Sequence, residues 1–158
     1  MATQHAPIPP VTPTESTNTS NDVDAVQKVL TRTLDALAGY DKMLPEAEPE
    51  VAPILRKLRE THHSHADQLS AMIVALGGTP ETDGSFMSKV NETVVSLRAF
   101  FDEIDDDALE RVIEGEEWVT DAFGDAAKEL PEGHHRDELV KLRGELEEVL
   151  KEARVIAD

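Results

Sequence analysis

From residue 23 to residue 156 the apolar residues of this chain recur at alternating steps of three and four, the spacing of one face of an α-helix. Such a pattern cannot bury its stripe alone, so it commits the body of the chain to helices packed against one another. The first 20 residues, "MATQHAPIPPVTPTESTNTS", lack the pattern and are rich in Pro, Thr and Ser, which reads as a tail that does not pack. The remaining residues, 21–158, read as one domain, a size that can hold a real core.

Local signals divide the pattern into four long helices. The first is expected to start at Ser20, Asn21 and Asp22, whose side chains can cap free amides, and to end at Leu44 before Pro45. Its stripe is Val23, Val26, Leu30, Thr33 or Leu34, Leu37, Tyr40 or Asp41, and Leu44. The second is expected to open at Pro49 and stop at Gly77-Gly78, with a stripe of Val51, Leu55, Leu58, His62, His65, Leu69, Met72 and Leu76. A third begins among Asp105, Asp106 and Asp107, where acids suit the positive end of the helix dipole, and ends before Pro131. Its stripe of Leu109, Val112 or Ile113, Glu116, Val119, Phe123, Ala127 and Leu130 is interrupted by one carboxylate. The fourth runs from about His135 through Leu139, Leu142, Leu146, Val149, Ala153 and Ile156, with Glu145 flanking the seam.

Short links, "PEAEP" and "PEGHH", make two hairpins of these helices, and "KMLPE" and "KELPE" close the first helix of each. The stretch between the hairpins is too long for a turn and carries its own spacing at Phe86, Val90, Val94, Leu97 and Phe101, which predicts a short crossing helix. Two hairpins joined by one long crossover are the ferritin-like topology of the four-helix bundle.

Composition narrows the partners. Fifteen Lys and Arg stand against 33 Asp and Glu, a net charge of −18, which repels phosphate backbones and anionic lipid; nucleic acid and membranes are poor candidates. The same acidity suits solubility or a high-salt environment equally. The chain has no Cys, hence no disulfide, thiolate or iron–sulfur chemistry. No apolar run approaches the roughly 20 residues of a membrane span and the N-terminus lacks a signal-like apolar core, so a cytoplasmic location is the default. The phenylalanines of the crossing segment offer a spare apolar face, making a homodimer a candidate assembly.

The residues with chemistry lie mainly on the second helix. "HHSHADQLSAMIVALGGTPE" resembles the second bundle helix of bacterioferritins, which reads E-x-x-H-A-D before a glycine-bounded turn. On that resemblance His65 takes the place of the ligand histidine and His62 that of the bridging carboxylate. More broadly, residues 23 to 156 resemble an uncharacterised bacterial family of ferritin-like four-helix bundles, a domain of unknown function. Its order of a G-G-x-P turn, a Gly-Ser, a short helix and a G-E-E on the third helix is matched by "LGGTPETDGSFMSKV" and "LERVIEGEEWVTDAF". The resemblance to ferritins implies a role in metal or oxidative stress.

Ferritin-like di-iron sites take a Glu from each of two helices and a Glu-x-x-His from each of the other two. Here Leu37 and Ala38 replace the acidic pair before Gly39-Tyr40, and the fourth helix offers Glu145-x-x-Glu148 and no seam histidine, so a full di-iron set is incomplete. His62, His65 and Glu116, with Glu145 as a fourth, could still hold a single iron or zinc ion, because imidazole and carboxylate donors suit both. The competing reading is a metal-free bundle, structural or adaptor-like, in which the two histidines are core residues satisfied by hydrogen bonds and Glu116 is their partner. Neither reading requires catalysis.

Other polar residues read more simply. Glu60 and His63 spell E-x-x-H but face outward, and His134 and His135 sit at an exposed helix start. Tyr40 is expected to pack at the end of the core with its hydroxyl on a polar group. Trp118 falls off the main seam, where a crossing helix or a partner subunit could meet it.

Overall fold

The computed structural model describes residues 13–82 and 105–158, with side chains from residue 19 onward in the first of these stretches. It contains four long helices: α1 (Pro13–Met43), α2 (Ala52–Ala75), α3 (Asp106–Glu129) and α4 (His134–Ala157), with a short 3-10 turn over Leu44–Glu46. The all-helical bundle expected from the apolar spacing is the architecture found.

Several helix ends sit where the local chemistry places them. Asp105 caps α3 by accepting from the Ala108 amide at 3.1 Å, and α3 stops at Glu129 ahead of Pro131. At the end of α2, Gly77 takes a left-handed φ of 92°, and the amides of Gly77 and Gly78 donate to the carbonyls of Val74 and Ile73. That pair of bonds is the Schellman motif, which satisfies carbonyls that the last turn leaves open.

Two starts differ from expectation. Helix α1 begins at Pro13, not at the Ser20–Asp22 capping run, so the expected tail gives way to helix over its last residues. Pro13 suits a first turn, "TESTNTS" contains no breaker, and extending a formed helix costs little per residue. Helix α2 opens at Ala52 with Pro53 in its first turn. Pro49 instead belongs to a turn in which the Val51 and Ala52 amides donate to the Glu48 carbonyl at 3.0 and 2.9 Å. The expected crossing helix, and with it the homodimer face, lies outside the described residues.

Cross-helix contacts set the directions. Asp41 near the end of α1 meets Arg59 near the start of α2, while Gln27 at the middle of α1 exchanges hydrogen bonds with the Glu81 backbone beyond α2. These helices are therefore antiparallel. Tyr40 meets Glu116 and Arg32 meets Trp118, so α3 runs against α1; Lys57 pairs with Glu152 and His65 with Glu145, so α4 runs against α2. It follows that α2 and α3 run the same way, and the connection between residues 82 and 105 joins opposite ends of the bundle. That is the single crossover expected from the sequence.

Helix α1 packs on α2 and α3, and α4 packs on α3 and α2, which leaves α2 diagonal to α3. The core between them is apolar, with Leu30, Leu55, Leu58, Leu69, Leu109, Phe123, Leu142 and Leu146 all fully buried. Among the described residues five polar ones are buried, Thr33, His62, His65, Glu116 and Thr120. Among the described residues no helix is long and apolar enough to cross a membrane.

Candidate metal centre in the bundle core

Each of the four helices contributes a polar side chain to one layer of the bundle. Helical phase places His62 and His65 one turn apart on the buried stripe of α2, and both are enclosed. His62 reaches across the diagonal to α3, where Nε2 lies 2.7 and 2.9 Å from the two carboxylate oxygens of Glu116. Tyr40, from α1, donates its hydroxyl to Glu116 Oε1 at 2.5 Å. The phenol and the His62 ring also stack, with centroids 5.8 Å apart and planes 19° from parallel. His65 turns toward α4, its Nε2 lying 2.9 Å from Glu145 Oε1, while Phe123 of α3 meets the ring edge-on at 5.8 Å.

The bonding settles the likeness and the difference between the two couples. A carboxylate accepts only, so the Nε2 facing it carries the hydrogen in both rings. In His62 and His65 alike Nδ1 is buried with no hydrogen-bond partner. Glu116 is enclosed with His62, whereas Glu145 reaches its histidine from the surface.

Ionisation follows the same geometry. Burial pushes the Tyr40 phenol well above its ordinary value, and the Glu116 carboxylate adds to the shift by its charge and its hydrogen bond. For His65 burial is the larger influence and lowers the pKa, against the opposing pull of Glu145. A carboxyl outside the layer is perturbed too: burial raises Asp35 to about 6 despite the nearby Arg32 guanidinium.

All four residues expected as metal ligands thus fall in one region, but as two couples, His62 with Glu116 and His65 with Glu145. Among the described residues, the three carboxylates whose ligand atoms lie within 4.8 Å of one another are instead Glu48, Glu50 and Asp106. They sit at the α1–α2 link and the first turn of α3, where Glu50 and Asp106 are exposed, an arrangement common on acidic surfaces without an ion. Glu60 and His63 face solvent, as their phase requires, and Trp118 is exposed beneath Arg32, whose guanidinium carbon lies 5.2 Å from the ring centroid.

Sequence reasoning left Tyr40 out of the ligand set, although the expected polar partner for its hydroxyl proves to be Glu116 itself. The signal available was its phase: Tyr40 and Thr33 lie seven residues apart on one face of α1, and both are fully buried. Asp35 gave no signal, because its position on the helix reads as solvated.

Residues 21–129 match a family profile described as a domain of unknown function, DUF2383. The chain belongs to that family. Neither a curated protein nor a solved structure matches it. The DUF2383 match takes in Tyr40, His62, His65 and Glu116, whereas Glu145 on α4 lies beyond its end.

Proposed function

We propose that this protein is a ferritin-like bundle that binds one divalent transition-metal ion, iron or zinc, in its core layer, with His62, His65, Glu116 and Glu145 as the ligands and a role in metal or oxidative stress. The observation that carries the reading is the pair of buried imidazoles one turn apart, each with Nε2 facing a carboxylate from the opposite hairpin. Two imidazoles and two carboxylates suit a single borderline ion. They do not suit a ferritin di-iron centre, which needs carboxylates where α1 carries Leu37 and Ala38 and a histidine on the α4 seam.

When bound, the ion would supply Lewis acidity and, if iron, one-electron redox chemistry. The chain's own residues do the rest. Glu116 and Glu145 orient the two rings, Tyr40 holds Glu116 in place through Oε1, and Phe123 closes the His65 side against water. The reading carries a cytoplasmic location with it.

A second reading keeps the bundle metal-free, with the layer acting as a hydrogen-bonded lock on helix register and the protein serving as a structural or adaptor module. It is favoured by the four candidate ligands being already paired as two couples. The two readings part under a chelator. If the ion is bound, the wild-type melting temperature falls when it is stripped and the His62→Ala protein does not respond. If the layer is only a lock, His62→Ala lowers the melting temperature equally with and without chelator, and the metal reading is lost.

A further inference from the structure

We propose that the outer side of α1 is a docking face for residues 83–104, the connection between the two hairpins, which crosses the bundle over α1 and not over α4. The first sign is an aspartate that water does not reach. Asp35 sits about 200° around the helix from core-facing Thr33, with Thr31 and Ala38 within about 60° of it, a side that should be solvated. Its Oδ1 is nevertheless closed off from solvent with no hydrogen-bond partner, and all three residues are half-buried. Asp24, Lys28 and Lys42, on the same side but before and after that stretch, are exposed. Among the described residues α1 packs on α2 and α3 along its inner flanks, and α4 lies across the bundle diagonal. A further piece of polypeptide therefore covers the middle of α1 from outside. Burial raises the Asp35 carboxyl to about 6 in spite of Arg32, as such a cover requires.

The two ends of the connection single out residues 83–104 as the cover. The chain leaves α2 beside α1, where the Glu81 amide donates to Gln27 Oε1 at 2.8 Å and the Gln27 side-chain amide donates to the Glu81 carbonyl at 3.1 Å. It enters α3 beside the α1–α2 link, where the Asp106 carboxylate lies within 4.8 Å of those of Glu48 and Glu50. The path between these points follows α1 from Gln27 to Met43, about 24 Å at the rise of a helix. The 22 residues of the connection reach about 33 Å even if wholly helical, so their length suffices. Phe86, Val90, Val94, Leu97 and Phe101 recur at helical spacing, and such a stripe needs a surface to lie on. On α1 the short side chains of Thr31 and Ala38 leave room for it. None of this depends on whether the core layer holds an ion.

Because α1 and α4 are diagonal, a path over one lies on the far side of the bundle from a path over the other. The chain has no Cys, so nitroxide labels on introduced cysteines measure the path in the full chain by double electron–electron resonance. Glu92→Cys, off the apolar spacing of the connection, is paired in turn with Lys28→Cys and Lys42→Cys on the outer side of α1 and with Lys141→Cys on the outer side of α4, all three exposed positions. Packed helices lie about 8–10 Å apart, so a connection docked on α1 is expected to hold the Glu92 label about 10 Å or more nearer to both α1 labels than to the α4 label, each at one narrow distance. A shorter distance to Lys141→Cys, or a broad distribution spanning both sides, would overturn the proposal. Short distances that vanish when labelled protein is diluted with unlabelled protein would assign the face to a second copy and overturn it as well.

Discussion

Glu116 is the residue on which the core layer turns, because it accepts from Tyr40 of α1 and from His62 of α2 at the same time. Removing a partner from such a group leaves buried polar atoms unsatisfied, the most expensive outcome available to a core substitution. Tyr40 reports on this arrangement directly, as the only tyrosine of the chain. Its folded-state pKa is raised by burial first and by Glu116 second, above the unfolded value of about 10. The protonated phenol is thus favoured by folding, so its contribution is whole below about pH 10 and is lost as the pH rises beyond it. Alkaline titration is expected to show tyrosinate absorbance rising only together with loss of helical circular dichroism. A phenol that ionises while the helices stay intact would mean that Tyr40 is not enclosed with Glu116. The sequence made the polar stripe positions legible, His62, His65 and Glu116 among them, since phase alone assigns a face. Which carboxylate meets which ring depends on side-chain rotamers and on how neighbouring helices are rotated, and one-dimensional spacing does not contain either.

At the scale of elements, the close approach of α1 and α2 depends on Gly78. A Cβ added there would lie 2.7 Å from Val23 Cγ1 and 3.2 Å from Ile73 Cγ2, and both of these β-branched side chains are stiff at χ1. Gly78→Ala is expected to destabilise the protein by about 1–3 kcal/mol in urea unfolding, as overpacking does. Gly115→Ala is the control of opposite sign: nothing lies within 4 Å of the added carbon, and replacing a mid-helix glycine is expected to stabilise by about 0.5–1 kcal/mol. Equal losses in both would contradict the packing argument. The ends of α2 and α3 were readable because Gly77-Gly78, Asp105 and Pro131 act through their own backbone chemistry. The starts of α1 and α2 were less so, because Ser20 and Pro13, or Pro49 and Pro53, are equally good signals and only tertiary context chooses between them.

Across the whole molecule, parallel α2 and α3 bring His62 and Glu116 together over the bundle diagonal, so the layer exists only once both hairpins have docked. A chain with net charge −18 surrounds that layer with a field that gathers cations. The bundle class and its single crossover follow from four apolar stripes and two short links, features of long range that survive errors in any one residue. The metal claim rests on four side chains, and it is the claim most worth testing. The direct measurement is metal content by inductively coupled plasma mass spectrometry on protein purified without a histidine tag, for the wild type, His62→Ala and His65→Ala. The account predicts near-stoichiometric iron or zinc in the wild type that is lost in both variants. Wild-type protein that stays free of metal after incubation with Fe2+ and with Zn2+ would contradict it and leave the layer as a hydrogen-bonded lock.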